Sequence, residues 1–375
     1  MESAAPQRFL ALDVFRGMTI CLMIIVNTPG SEDTTFAPLK HAHWNGFTPT
    51  DLVFPSFMFA VGNAMSFVMR RWTEMNTSAV LGKIFKRTLI IFLCGYLLYW
   101  FPFVQYNDQH HLILSPIDET RIFGVLQRIA LAYCFASLML YFLGTRTTVI
   151  VTVIILILYW PVMVYFGTGP DPLDAHTNAV LRLDTWLIGP KHLYMGEGFP
   201  FDPEGLLSTF PSIGNIVGGY LVGRYVQKNG KTFEGLAKLF MAGFIIFVIA
   251  YWWNYGFPIN KKLWTSSFVL HTVGIDCMIL ACIMYYVDFL GRRKGVYFFE
   301  VFGKNPLFIY LVSELSVIIL YMISINGTPL YKWLYQNVFS HAGAYIGSLL
   351  LAICFMLYCW LVGYIMDRKK IYVRV

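Results

Sequence analysis

Charge is what this sequence has least of. Asp, Glu, Lys and Arg together make up 13% of the 375 residues, where soluble globular domains carry roughly a quarter. That shortage excludes a solvated surface over most of the chain. Cysteine offers no scaffold either: Cys21, Cys94, Cys134, Cys277, Cys282, Cys354 and Cys359 all fall inside or beside apolar runs, with no metal-ligand spacing and no pairing in loops. They read as packing residues. No internal repeat is visible, and no soluble domain is expected before or after the apolar runs, so residues 1–375 read as one polytopic domain.

What is abundant is apolar surface. Hydrophobic residues are 57% of the chain and the mean hydropathy is +0.59. Each membrane-spanning helix needs about 20 mainly apolar residues, because its backbone polar groups must be satisfied within the segment. Such runs lie near 10–28, 50–69, 88–105, 122–143, 148–166, 206–226, 238–256, 264–289, 301–323 and 343–366. The expected fold is therefore all-α, a polytopic integral membrane protein of about ten transmembrane helices.

Assigning Lys and Arg to alternate sides puts 18 on one side, from Arg8, Arg70 and Arg71 through Lys231 and Arg293 to Arg374. The other side holds 6: Lys40, Arg182, Lys191, Lys261, Lys262 and Lys332. The positive-inside rule then places both termini in the cytoplasm. The net charge of +7 is thus a topology signal and gives no reason to invoke nucleic acid. The first run contains Asp13 and Arg16 and lacks a small-residue cleavage site before it, so a retained helix is expected rather than a signal peptide.

Polar residues within or beside these runs are the candidates for function, since ionisable groups at membrane depth are costly. Asp13 and Arg16 are three apart and can pair on one helix face. Arg121 and Arg128 are seven apart, which puts them on roughly one face of a helix, able to snorkel or to bind an anionic group. Asp51, His271, Asp276 and Glu314 add further sites. Asn305 before Pro306 marks a helix start or break. The loop 167–205, rich in Gly, Pro and Asp, is long enough to be a functional cap on the non-cytoplasmic side.

The segment LKHAHWNGFTPTDLVFPSFMF, residues 39–59, puts His41 and His43 at the mouth of the second run, on the side where Asn27 closes the first. A neutral imidazole can act as general base towards an amine or hydroxyl, and a carboxamide can stabilise an oxyanion. Interfacial histidines without chemistry are the alternative. A four-histidine metal site would need a second loop, carrying His110 and His111, to meet this one; no metal is expected.

The ordered set LDVFRGMTICLMIIVN, LKHAHWNGFTPTDLVFPSFMFAVG, RIFGVLQRIA, FDPEGLLST, INKKLWTSSFVL and FGKNPLFIYLVSE resembles the heparan-alpha-glucosaminide N-acetyltransferase family of transmembrane acyltransferases, over about residues 8–315. The resemblance is to the bacterial type that lacks the extra amino-terminal domain. It implies transfer of an acetyl group from cytoplasmic acetyl-CoA to a sugar amine across the membrane. The histidine of the family's K-H-A-x-W-N-G pattern matches His41, and the asparagine ending its first core helix matches Asn27, which the resemblance implies are the catalytic pair. His43 takes the pattern's variable position.

The same resemblance points to Asp202 and Glu204 of DPEG as acceptor-side residues, and Arg16 is a candidate for the CoA phosphates. The expected partners are an amino sugar or glycan and the lipid bilayer, with a homodimer as a candidate assembly. A bacterial inner membrane, with the acceptor side periplasmic, is the expected setting. A secondary transporter for amino sugars, using Asp51, Asp276 and Glu314, is the rival reading; it would require inverted repeats.

Overall fold

The structure is a computed structural model that describes residues 9–106, 111–230 and 232–373. Of the residues weighed above, Arg8, His110, Lys231 and Arg374 lie outside the described residues. Thirteen α-helices follow one another along the described chain: α1 Leu10–Asn27, α2 Pro49–Trp72, α3 Thr77–Trp100, α4 Val125–Phe142, α5 Gly144–Phe166, α6 Ala179–Ile188, α7 Leu206–Asn229, α8 Phe233–Trp253, α9 Ser266–Met284, α10 Val296–Lys304, α11 Pro306–Met322, α12 Leu330–Leu334 and α13 Ala344–Arg368. A short antiparallel hairpin, Val104–Tyr106 against Leu112–Leu114, joins α3 to α4.

By length and composition, seven helices among the described residues suit a membrane crossing, which makes eight spans if the bent pair α10 and α11 is one. The chain is thus an all-α, multi-pass membrane protein. Helices α3 and α7 are as long as α2, at 24 residues or roughly 36 Å, but α3 carries three cations within its central stretch and α7 is interrupted by Ser, Thr, Gly and Asn. The cations of α3 are Lys83, Lys86 and Arg87, so the apolar run begins near 88, whereas the helix begins at Thr77. Asn76 starts it by accepting from the Ala79 N–H at 2.8 Å, a standard N-cap.

The other difference lies at Asn305. The expected span 301–323 is broken there, and α10 and α11 meet at 84°. Pro306 opens α11 because its missing N–H costs nothing at a first helical position. Asn305 does not cap either helix with its side chain. Its amide instead holds the C-terminal tail, donating to the Ile371 carbonyl at 3.0 Å and accepting from the Val373 N–H at 2.9 Å.

Burial sorts the bundle. The apolar windows of α2 and α9 are 72% and 67% buried, whereas those of α5 and α8 are each 22% buried. The former pair forms the centre and the latter faces outward. Close backbone approach holds the centre together: a Cβ on Gly62 of α2 would stand 1.9 Å from the Ile216 carbonyl oxygen of α7, and one on Gly219 would stand 2.0 Å from that of Phe59. Small residues allow such contact where no hydrophobic effect drives helices together in lipid. Asn215 of α7 accepts from the Trp264 indole and donates to the Thr272 hydroxyl of α9, a polar tie between central helices.

The loop 167–205 is an ordered cap. Helix α6 starts at Asn178, whose side chain accepts from the Leu181 N–H. The buried residues Tyr159, Met163, Val180, Phe201, Phe257 and Leu263 form a second apolar cluster beneath it. Trp44 packs against this cluster and donates to the Leu173 carbonyl at 3.0 Å, which ties the His41 segment to the cap.

Candidate active site

His41 owes its setting to the start of α2. Thr48 is the N-cap and Asp51 the third helical residue, and the Asp51 carboxylate reaches back to the Thr48 N–H at 3.0 Å. This is half of a capping box. The same oxygen, Oδ2, also accepts from the Ala42 N–H at 3.1 Å and the Thr48 hydroxyl at 3.0 Å. Its other oxygen, Oδ1, lies 2.7 Å from Nδ1 of His41. A buried carboxylate that faces Nδ1 selects the tautomer with the proton there and leaves the Nε2 lone pair for chemistry.

Lys261 completes the group. The loop 254–265 is held against residues 45–46 by the Gly46 N–H to Ile259 carbonyl bond and by Asn260 donating to Asn45. Lys261 Nζ consequently stands 3.1 Å from both ring nitrogens of His41 and 4.0 Å from Asp51 Oδ1. Burial, with help from the Lys261 charge, holds the imidazole below its ordinary range against the opposing pull of Asp51 and Glu204. The balance favours the neutral form of His41. Burial likewise lowers Lys261, opposed by Asp51 and Glu204. His43 is exposed.

Arg121 and Arg128 do not share a helix face as the spacing suggested, because α4 begins only at Val125. They meet the same segment nonetheless. Arg121 grips Asp202 through two bonds, Nε to Oδ2 at 2.8 Å and Nη2 to Oδ1 at 2.7 Å, and reaches Glu204 Oε2 at 2.6 Å. Arg128, fully buried, donates to the Pro203 carbonyl at 2.8 Å and to the Ser208 hydroxyl, and stacks over Trp264.

Both Asp202 oxygens are thereby engaged, whereas Glu204 uses one on Arg121. Burial pushes the Glu204 carboxyl up, but Arg121, Arg128 and Lys261 outweigh it and hold it ionised. The turn DPEG does not cap α7 with its own side chains. Asp184 of α6 does so, accepting from the Leu206 N–H at 3.0 Å, and a Cβ on Gly205 would collide with it at 1.7 Å.

Asn27 lies at the same end of the bundle through different partners. Its amide donates to Glu314 Oε1 of α11 at 3.3 Å. Glu314 is within electrostatic reach of Tyr310 and Tyr99, and Arg121 donates to the Tyr99 hydroxyl at 3.2 Å. Glu204 in turn feels His41 and Lys261. Asn27 and His41 thus flank one belt of polar groups at the ends of α1, α2, α4, α7 and α9, although no hydrogen bond joins them directly among the described residues.

A cavity of about 330 Å³ opens towards the other end of the bundle. Arg16, Arg87 and Lys304 line it together with Phe57, Ile91, Leu126 and Ile129. Arg16 pairs with Asp13 at 2.6 Å and Lys304 with Asp367 at 2.8 Å. Arg87 stacks on Tyr133, and its buried Nε has no hydrogen-bond partner among the described residues. Phe57 is six residues, roughly 9 Å of helix, from Asp51. Cations at one end and apolar walls running towards the His41 end suit an anionic ligand with a long apolar arm. Sequence singled out Arg16 alone; Arg87 and Lys304 join it only through folding.

The chain is similar to known proteins over most of its length. The family model described as heparan-alpha-glucosaminide N-acetyltransferase, catalytic, matches residues 8–239. The heparan-alpha-glucosaminide N-acetyltransferase of Mus musculus is 25% identical over 99% of this chain, and that of Homo sapiens 27% identical over all of it. The chain spans 61% of the length of each.

Proposed function

Because this chain belongs to the heparan-alpha-glucosaminide N-acetyltransferase family, we propose that it moves an acetyl group from cytoplasmic acetyl-CoA to the amine of a glucosamine-type sugar or glycan on the far side of a membrane. In this reading ten spans cross the bilayer, the seven helices and the one bent pair above with α3 and α7 added, and both termini are cytoplasmic. A bacterial inner membrane with a periplasmic acceptor fits. The CoA phosphates sit among Arg16, Arg87 and Lys304, and the apolar cavity guides the pantetheine arm towards the belt.

The observation that carries the reading is the Asp51–His41 pair, a neutral imidazole whose Nδ1 is held by a buried carboxylate. Nε2 takes the proton as the acceptor amine attacks the thioester carbonyl. The new N–C bond forms, the C–S bond breaks, and the proton passes to the leaving thiolate. Asn27 retains an amide N–H beside the one given to Glu314, and it donates to the oxyanion, a contribution typically worth roughly 3 to 4 kcal/mol. Glu204 binds the acceptor with its second oxygen, and Asp202 holds Arg121 and Glu204 in place.

The test is incubation of the purified protein with radiolabelled acetyl-CoA and a panel of amino sugars. Label in glucosamine supports the transferase. Uptake of intact sugar into vesicles without acetylation overturns it in favour of a transporter.

A further inference from the structure

A groove between α1, α8, α9 and α10 is unlike the donor cavity. It encloses about 530 Å³. Ile275, Ile279, Ile283 and Val287, spaced by four, run along it on α9 and on the π-helical turn Tyr285–Phe289 that continues α9. Val14 and Met18 of α1, Phe240 of α8 and Phe299 of α10 form its sides. Val14, Ile283 and Val287 are buried at the floor, whereas Phe240 is 41% exposed at the rim. Apart from Cys282, the lining side chains are apolar until the groove reaches Tyr286 and Lys294 at one end.

Length and charge limit what fits. Ile275 to Val287 spans roughly 18 Å of helix, close to half of a hydrocarbon core of about 30 Å. The groove therefore has the depth of one leaflet. At its mouth stand three consecutive exposed cations, Arg292, Arg293 and Lys294, and Asp288 is the one acid between Tyr285 and Val296. The turn that carries them is held in place. The Arg292 N–H donates to the Tyr286 carbonyl at 3.2 Å, the Tyr286 hydroxyl donates to the Lys294 carbonyl at 3.3 Å, and Arg292 lies over the Tyr286 ring. Gly291 and Gly295 supply the left-handed φ of 64° and 77° at its two ends. A free phosphate gains nothing from the apolar wall. A second copy of this chain, docked groove to groove about an axis normal to the membrane, would set its own three cations beside these.

We propose that this groove binds an anionic glycerophospholipid from the leaflet on the basic side, with one acyl chain along α9 and the phosphate among Arg292, Arg293 and Lys294. Basic pockets between helices at the cytoplasmic face recognise such headgroups. A chain seated there braces α9 against α1 and α10, the helices that carry Arg16 and Lys304 of the donor cavity. The site goes beyond the acetyltransferase reading, and its test reads no turnover.

Delipidated protein in a neutral detergent is titrated with dioleoyl phosphatidylglycerol and with dioleoyl phosphatidylcholine, and bound lipid is counted by native mass spectrometry. Phosphatidylglycerol should bind wild type at least tenfold more tightly. One cation near an anionic headgroup is worth about fivefold. Lys294→Gln should therefore weaken phosphatidylglycerol about fivefold, and Arg292→Gln, Arg293→Gln and Lys294→Gln combined should weaken it roughly a hundredfold, with phosphatidylcholine unchanged in both. These exposed positions lie outside the core, so thermal unfolding should match wild type. Ile279→Trp, which fills the groove and leaves the cations, should weaken both lipids. Equal affinity of the two lipids for wild type, or phosphatidylglycerol binding that survives the combined substitution, would overturn the site. So would an Ile279→Trp protein that loses a dimer and keeps its lipid.

Discussion

Asp51→Asn isolates the dyad from the fold around it. Asp51 Oδ2 serves three donors, Ala42 N–H, Thr48 N–H and the Thr48 hydroxyl, so the single oxygen of an asparagine settles there and preserves the α2 start. The new amide nitrogen then occupies the Oδ1 position, 2.7 Å from His41 Nδ1, and can only donate. His41 is forced to carry its proton on Nε2, which removes the base. General-base catalysis contributes typically 10²- to 10⁴-fold, or about 3 to 5 kcal/mol of barrier. Lost charge in the hydrogen bonds costs stability by only about 1 kcal/mol. The assay is steady-state acetyl transfer from acetyl-CoA to glucosamine, with CoA binding and thermal unfolding measured on the same preparation. A kcat reduced at least a hundredfold is expected, with CoA affinity unchanged and no recovery at higher pH, because the fault is in the tautomer. Activity within threefold of wild type would refute a proton-accepting role for this pair.

The other expectations concern the flanking sites. Arg87→Ala should raise KM for acetyl-CoA about tenfold and leave the acceptor KM alone, since Arg87 lines the cationic cavity and touches nothing at the His41 end; equal acetyl-CoA KM values would remove it from the donor site. Glu204→Gln should raise the acceptor KM with acetyl-CoA affinity unchanged, whereas Asp202→Asn should chiefly lower thermal stability by loosening Arg121. Burial pushes the Asp184 carboxyl up to about 7, above its unfolded value near 3.9. Stability tied to its neutral form is complete below the lower value and lost as pH rises through about 7. Asp184→Asn should therefore abolish a decline on the order of 1 to 2 kcal/mol between pH 5.5 and 8; a decline of equal size in both proteins would contradict this.

Apolar runs located the helices because lipid leaves the backbone no alternative to internal hydrogen bonding, and the break at Asn305–Pro306 could be read from the missing proline N–H. The charged start of α3 has no apolar signature because a helix can leave the bilayer without stopping. His41, Asn27 and Arg16 could be nominated from local motifs. Their partners could not: Glu314 meets Asn27 from 287 positions away, and Lys261 meets His41 from 220. Asp51 stands out in the sequence as a polar residue in an apolar run, and its tie to His41 has a local signal. Thr48 with an acidic residue three places on marks a helix start, and a carboxylate reaching back over that start comes near the residues just before it. Asp202 and Glu204 look equivalent in DPEG; only the two-pronged hold of Arg121 on Asp202 separates them.

The claim at the centre is chemistry divided between two faces of a membrane. Purified protein reconstituted into sealed vesicles, with unlabelled glucosamine-type acceptor trapped inside and radiolabelled acetyl-CoA added outside, tests it most directly once the fraction facing each way is known. Labelled N-acetyl product should accumulate inside while free CoA appears outside, and His41→Ala should abolish both. Product that forms only when donor and acceptor share a compartment, or acceptor that leaves the vesicles unmodified, would contradict the account.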